Sequence, residues 1–167
     1  GCARRNIARL AANGSCDPSF DPGLALTDVF HPSHLPPGAD IRRSLAVYAL
    51  ALQADGKILV GVQAIRSLKA GVSAVSKVIV RLDADGRRDV SFDAAVFDVP
   101  GTEPRVNGIA VQPDGKILVV GDIRYGADGK RSGVARLNAD GSLDPAFTSP
   151  PGFSWDGPTF NGSSRGN

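Results

Sequence analysis

The chain has 167 residues, 42% of them hydrophobic and 22% charged, with 20 glycines, 12 prolines and a formal net charge of +2. That composition suits a compact soluble fold whose glycines and prolines serve turns. Basic residues are scattered as Arg42-Arg43, Arg87-Arg88 and Lys130-Arg131 without interleaved aromatics, which argues against a nucleic-acid surface, and no apolar run approaches the ~18 residues of a membrane span.

Residues 1–20 read as two short strands around a turn at Asn13-Gly14, and they hold both cysteines, Cys2 and Cys16. In a tight hairpin centred on that turn Cys16 faces Ala11, so a Cys2–Cys16 disulfide requires the leading residues to fold back. The spacing leaves a disulfide and two free thiols both open. Asp21–Ser44 is a Pro-rich polar connection containing the two histidines, His31 and His34, near Asp28 and Asp40. Their H-x-x-H spacing supplies two imidazoles, whereas a zinc site takes three or four ligands in ordered positions, so no metal is expected.

Leu45–Phe92 reads as a complete four-stranded unit: Leu45–Leu52, Lys57–Gln63, Ser76–Leu82 and a short Asp89–Phe92. Asp55-Gly56 lies between two apolar runs, the pattern of a type I′ hairpin in which both central residues take positive φ. Asp83-Ala-Asp-Gly86 has two carboxylates but lacks the third ligand and the Glu at position 12 of a calcium loop; Gly86 comes at position 4 and Ala94 stands at position 12. A turn is the reading here as well. Val106–Phe147 repeats the order as Val106–Gln112, Lys116–Ile123, Gly133–Leu137 and Leu143–Phe147. Residues 149–167 are rich in Pro, Gly, Ser and Asn, with Trp155 and Phe160; 154–167 is expected to be a tail or the start of a further unit.

The units are copies of one another. Ala51–Gly61 is rewritten as Ala110–Gly121, with Gln53 and Gln112 59 residues apart. Arg81–Phe92 returns as Arg136–Phe147 and, earlier, as Arg9–Phe20. A period of about 40–60 residues signals propeller blades or stacked repeats. Lys77–Leu82 and Lys116–Gly121 are almost continuously apolar, so both faces of each sheet must be covered. With no helical periodicity in view, further copies of the sheet are the expected cover.

The pattern A-x-Q-x-D-G-K-I-L-V-G followed by A-R-L-N-x-D-G-S-L-D-x-x-F resembles the delta-60 repeat, a bacterial β-propeller family. The resemblance spans residues 1 to about 153. It implies four-stranded blades, a large and often exported or surface-associated parent protein, and no established activity. The expected fold is therefore all-β, a partial β-propeller of about two and a half four-stranded antiparallel blades: a partial blade at 1–20, then 45–92 and 106–147. The first copy departs from the pattern in lacking its first two strands. A ring takes at least ~4 blades, so the chain is expected to be part of a longer polypeptide, the remaining blades coming from the same or another chain. As a fan with bare edges, it is expected to be oligomeric or poorly behaved when isolated.

Gln53/Gln112, Lys57/Lys116 and Arg9/Arg81/Arg136 recur, so they belong to the building block; each Arg is expected to pair with its unit's own Asp17, Asp89 or Asp144. Function belongs where copies disagree, on the connections Asp21–Ser44, Ala64–Val75, Phe97–Arg105 and Asp122–Ser132. Tyr48, its counterpart Asn107, Arg66, Arg124 and Tyr125 form the candidate binding face. No catalytic, cofactor or metal residue is assigned. The expected function is non-enzymatic binding or scaffolding of a protein or glycan, in a secreted or cell-surface protein as the resemblance implies. A propeller hydrolase or lyase would need converging carboxylates or a His with a nucleophile at the channel mouth; a purely structural repeat would bind nothing.

Overall fold

The computed structural model describes residues 6–22, 42–67, 78–94, 105–124 and 131–148. These form six strands in one open antiparallel sheet and no helix: β1 Arg42–Leu52, β2 Ile58–Ser67, β3 Ile79–Leu82, β4 Arg105–Val111, β5 Ile117–Arg124 and β6 Arg131–Leu137. The two complete units lie side by side as β1-β2-β3 and β4-β5-β6. A single bridge, Gln63↔Arg105, stitches them together beyond the point where β2 leaves β3. The fourth strands expected after β3 and β6 shrink to single bridges, Leu82↔Arg88 and Leu137↔Leu143, matched in the first copy by Leu10↔Cys16. They end early because Asp89 and Asp144 at once turn the chain, with Phe92 and Phe147 amides donating back to the Asp carbonyls at 3.3 and 3.2 Å.

The hairpin turns are not type I′. Gly14, Gly56, Gly86, Gly115 and Gly141 all have positive φ, but Asn6 is the one non-glycine residue that does among the described residues. In the first hairpin Gly56 N–H donates to the Gln53 carbonyl at 3.0 Å and Gln53 N–H to the Lys57 carbonyl at 2.8 Å, a type I turn with its glycine in a G1 bulge. The aspartate side chain selects this geometry. Asp55 Oδ1 accepts the Lys57 amide at 3.0 Å, as Asp85, Asp114, Asp140 and Asn13 do for the residue two positions ahead. The loop is thus three residues long, and Cys16 faces Leu10 rather than Ala11. Cys16 is disulfide-bonded; the second cysteine of the sequence, Cys2, lies outside the described residues.

Period-2 alternation lets β2 and β3 serve two cores. Leu59 and Ile79 point, with Phe92 of their own unit, into a cluster with Val106, Ile117, Val119, Ile123 and Leu137 of the following unit. Val60, Val62, Val80 and Leu82 point the other way, into a cluster with Phe20 of the preceding half unit. All are essentially buried, so the apolar runs of the middle unit are continuous because it is sandwiched between the preceding half unit and the following unit.

Candidate functional site

Each unit carries the same charged cluster. In the middle unit Asp89 Oδ2 accepts from Arg81 Nε and Lys57 Nζ, both at 2.7 Å, while Oδ1 accepts the Ser91 amide at 2.9 Å and its hydroxyl at 2.6 Å. Asp144 repeats this with Arg136 at 2.7 Å, Lys116 at 2.9 Å and the Ala146 amide at 3.0 Å; Asp17 takes Arg9 at 2.8 Å and Ser19. The expected Arg–Asp pairing is present in all three copies. Each guanidinium also lies over its unit's phenylalanine, at 5.1 Å for Phe20, 4.7 Å for Phe92 and 5.0 Å for Phe147. Lys57 additionally donates to Asp83, the residue that suggested calcium, at 2.8 Å.

The titration behaviour follows from these contacts. Burial pushes the Asp89 carboxyl up, but hydrogen bonds from Lys57, Ser91 and Arg81 outweigh it and hold the group well below the usual carboxylate range. Hydrogen bonds from Lys116 and the Ala146 amide, with Arg136, bring Asp144 down to about 2 from 3.8. Asp17 and Asp140 are lowered chiefly by the Ser19 and Ser142 hydroxyls, and Lys57 is raised by Asp83 and Asp89. A carboxylate with a depressed folded-state pKa stabilises the fold above its unfolded value, and that contribution disappears as pH falls through the folded value. Thermal melts are therefore expected to fall steeply between pH about 4 and about 2. Asp144→Asn, scanned over the same window, should start lower at neutral pH and show a shallower slope; an unchanged slope would contradict this account.

The candidate face forms where the sheet ends. β1, β4 and β6 begin, and β2 and β5 end, on the side opposite the Asp-Gly turns. Tyr48 and Asn107 occupy equivalent places, each the extra residue at a β-bulge, between Val47 and Ala49 in β1 and between Val106 and Gly108 in β4. Bulges re-aim side chains, and both residues are exposed. Tyr48 Oη donates to Gln63 Oε1 at 3.0 Å, and the Arg105 guanidinium stacks on the Tyr48 ring at 5.1 Å. Arg105 Nε is buried and makes no hydrogen bond among the described residues. This triad sits on the Gln63↔Arg105 bridge between the two units. Arg66 pairs through its backbone with Arg43 at the far end of β2, and Arg124 with Arg131 at the far end of β5. Tyr125, His31, His34 and the connections 23–41, 68–77, 95–104 and 125–130 lie outside the described residues, as does 149–167.

Sequence reasoning singled out Tyr48, included Arg105 as the last residue of the connection Phe97–Arg105 without singling it out, and did not name Gln63. The 59-residue offset could have exposed them, since it aligns Ala46 with Arg105 and Gln63 with Asp122, two further positions where the units differ in chemistry. Gln53 and Gln112 carry the same buried Oε1 without a hydrogen bond among the described residues in both units, and so belong to the building block. Among the described residues no cluster of three His, Cys, Asp or Glu side chains is placed to hold a metal, and no helix is long and apolar enough to cross a membrane.

Antiparallel units of one sequence pattern, packed face to face on one another, define a β-propeller repeat protein. The profile of the family described as domain of unknown function (DUF5122) beta-propeller matches residues 3–20, 53–92 and 112–147, more than half of the chain. The chain belongs to that family. The matched segments are the three copies of the repeated element, and the breaks between them fall on connections and on first strands. Searches of the curated proteins and of the solved structures gave no significant match.

Proposed function

We propose that this chain is a non-enzymatic binding or scaffolding module, with repeats of the delta-60 type, belonging to a larger exported or cell-surface bacterial protein. The observation that carries the reading is the Tyr48–Gln63–Arg105 junction. Among the described residues it occurs at one interface between units, it lies on the variable end of the sheet, and it stacks a guanidinium on a half-exposed aromatic ring. A half-exposed ring with a partly exposed guanidinium stacked on it suits a flat group carrying an acceptor, such as an acidic sugar or a peptide carboxylate. The carboxylates with shifted acidity point away from catalysis. All are moved downward by structural partners, so they stay ionised at neutral pH, whereas a general acid needs a pKa near the working pH. Export is supported by the disulfide-bonded Cys16, which belongs to an oxidising compartment.

Glycan and peptide arrays probed with the 167-residue chain test this reading. A ligand is expected whose affinity falls about tenfold or more, roughly 1.4 kcal/mol, in Tyr48→Ala, with thermal stability unchanged. Asn107→Ala, at the equivalent bulge without the guanidinium, should bind as the unaltered chain does. Binding that ignores both substitutions would remove the junction as the site, and silence on every array would favour a purely structural repeat.

A further inference from the structure

The charges of the chain are sorted between the two ends of the sheet. At the end that carries the Asp-Gly turns, cations and carboxylates are matched. Arg9, Arg81 and Arg136 take Asp17, Asp89 and Asp144, Lys57 and Lys116 join the last two, and Arg87 lies 3.4 Å from Asp85. Arg9 and Arg81 also latch onto the Ala84 and Ala139 carbonyls of the next unit.

The opposite end is built otherwise. Five strands follow one another in the sheet as β1-β2-β4-β5-β6, and each brings arginine there: Arg42 and Arg43, Arg66, Arg105, Arg124 and Arg131. The register sets two pairs of them directly opposite each other, Arg43↔Arg66 and Arg124↔Arg131. Like charges facing across a ladder are destabilising. Arg105 stands between these pairs, bridged to Gln63 and to Asp122, the one carboxylate that the strands bring to this end among the described residues. The connections 23–41, 68–77, 95–104 and 125–130 add three lysines and five carboxylates in sequence, so strand ends and connections together hold nine cations against six carboxylates. Repetition does not account for the arginines. The 59-residue offset aligns Arg43 with Thr102, Arg66 with Tyr125, Arg105 with Ala46 and Arg124 with Ile65, so none of the four belongs to the repeated pattern. All six strand-end cations are arginine, whose planar fork grips a carboxylate bidentately, whereas the turn end uses lysine as well.

We infer that this end of the sheet binds an acidic polysaccharide, whose carboxylates are taken by the arginine row of β1, β2, β4, β5 and β6. This ligand class rests on the reading above, in which the module binds at the variable end. An anion bound at an arginine–arginine pair removes the repulsion that its register imposes. Neighbouring strands lie ~4.8 Å apart, roughly the length of one sugar unit, so a polymer with a carboxylate on every unit presents charge at a matching interval. The row is staggered, Arg66 lying three residues beyond Gln63 and Arg124 two beyond Asp122, which suits a flexible polymer better than a rigid duplex. A nucleic acid is also disfavoured by the disulfide that supports export. Further units stack on sheet faces and not on strand ends, so the row is the same in a longer polypeptide.

Biolayer interferometry of the 167-residue chain on immobilised polygalacturonate and alginate tests this, with methyl-esterified polygalacturonate and single-stranded DNA as comparators. Binding to the two acidic polymers is expected, weakening steeply as salt is added and lost on the methyl ester. The double variant Arg43→Gln, Arg66→Gln should lower affinity at least tenfold. Its melting temperature should hold or rise, because the facing like charges are gone. Arg87→Gln removes one charge at the turn end and should bind as the unaltered chain does. Silence on both acidic polymers, equal binding to the methyl ester, tighter binding to DNA, or normal binding by the double variant would each overturn the inference. So would a double variant that melts far below the unaltered chain, since its arginines would then be holding the fold. An array ligand that depends on Tyr48 but ignores salt and the double variant would leave the reading of a binding module in place and remove the acidic polysaccharide.

Discussion

Asp89→Ala is expected to destabilise the chain by about 3–5 kcal/mol, the cost of breaking a buried ion pair from one side. Asp89 is 7% exposed and fills all its acceptor positions: two from Arg81 and Lys57, two from Ser91. Removing it leaves the Arg81 guanidinium, itself 10% exposed, without its carboxylate and beside the Lys57 ammonium, which retains Asp83. Arg81 also bonds the Ala139 carbonyl of the following unit, so the loss passes from one blade to its neighbour. Asp17→Ala removes the same residue type from the half unit, where the carboxylate is 26% exposed and Arg9 is its only ion-pair partner among the described residues. A much smaller loss is expected there. Urea denaturation of the two variants beside the unaltered chain supplies the comparison. Equal losses would mean that burial and the third charge at Asp89 contribute nothing.

Four glycines with nearly the same φ should separate into two classes when each is changed to alanine. Gly56 and Gly115, in the turns between first and second strands, have φ of +83° and +82°, and an added Cβ would lie 3.8 and 3.9 Å from its nearest neighbour. Their substitution is expected to cost only the backbone strain of a left-handed alanine, about 1–2 kcal/mol. Gly86 and Gly141 have φ of +95°, and the added Cβ would press on the backbone of the preceding unit at 2.8–3.0 Å. Backbone cannot swing aside like the end of a side chain, so a further ~1–3 kcal/mol is expected from overpacking. Thermal denaturation of the four single variants would show Gly86→Ala and Gly141→Ala melting well below the other two. Four equal melting temperatures would mean that the units do not dock through these turns.

What was legible in the chain was whatever recurs locally. The copies of DGKILV and of the Arg-to-Phe element place the first three strands of each complete unit, their antiparallel order and the stacking of units on one another, because period-2 side-chain alternation and Asp-Gly turns act over a few residues. Repetition also separated building block from exception. It assigned Arg9, Arg81 and Arg136 to structural ion pairs, and all three are found there. Even locally, one competing interaction changed the outcome. The Asp55 carboxylate captures the Lys57 amide and turns an expected type I′ hairpin into a type I turn with a bulge, and the Asn13 side chain does the same with the Ser15 amide, moving the partner of Cys16 by one residue.

The contacts between units were decided by tertiary structure. Tyr48, Gln63 and Arg105 are distant in sequence, and their meeting depends on β2 leaving β3 to bridge β4 and on a bulge turning the Tyr48 ring. The arginine latches end on the carbonyls of Ala84 and Ala139, and a carbonyl is common to every residue, so no letter of the sequence marks it as an acceptor. The sequence by itself determined what each unit is made of, through short-range pattern and pairing. Only the packed structure determined where units touch, because that depends on which backbone groups the twist of the sheet brings within hydrogen-bonding distance.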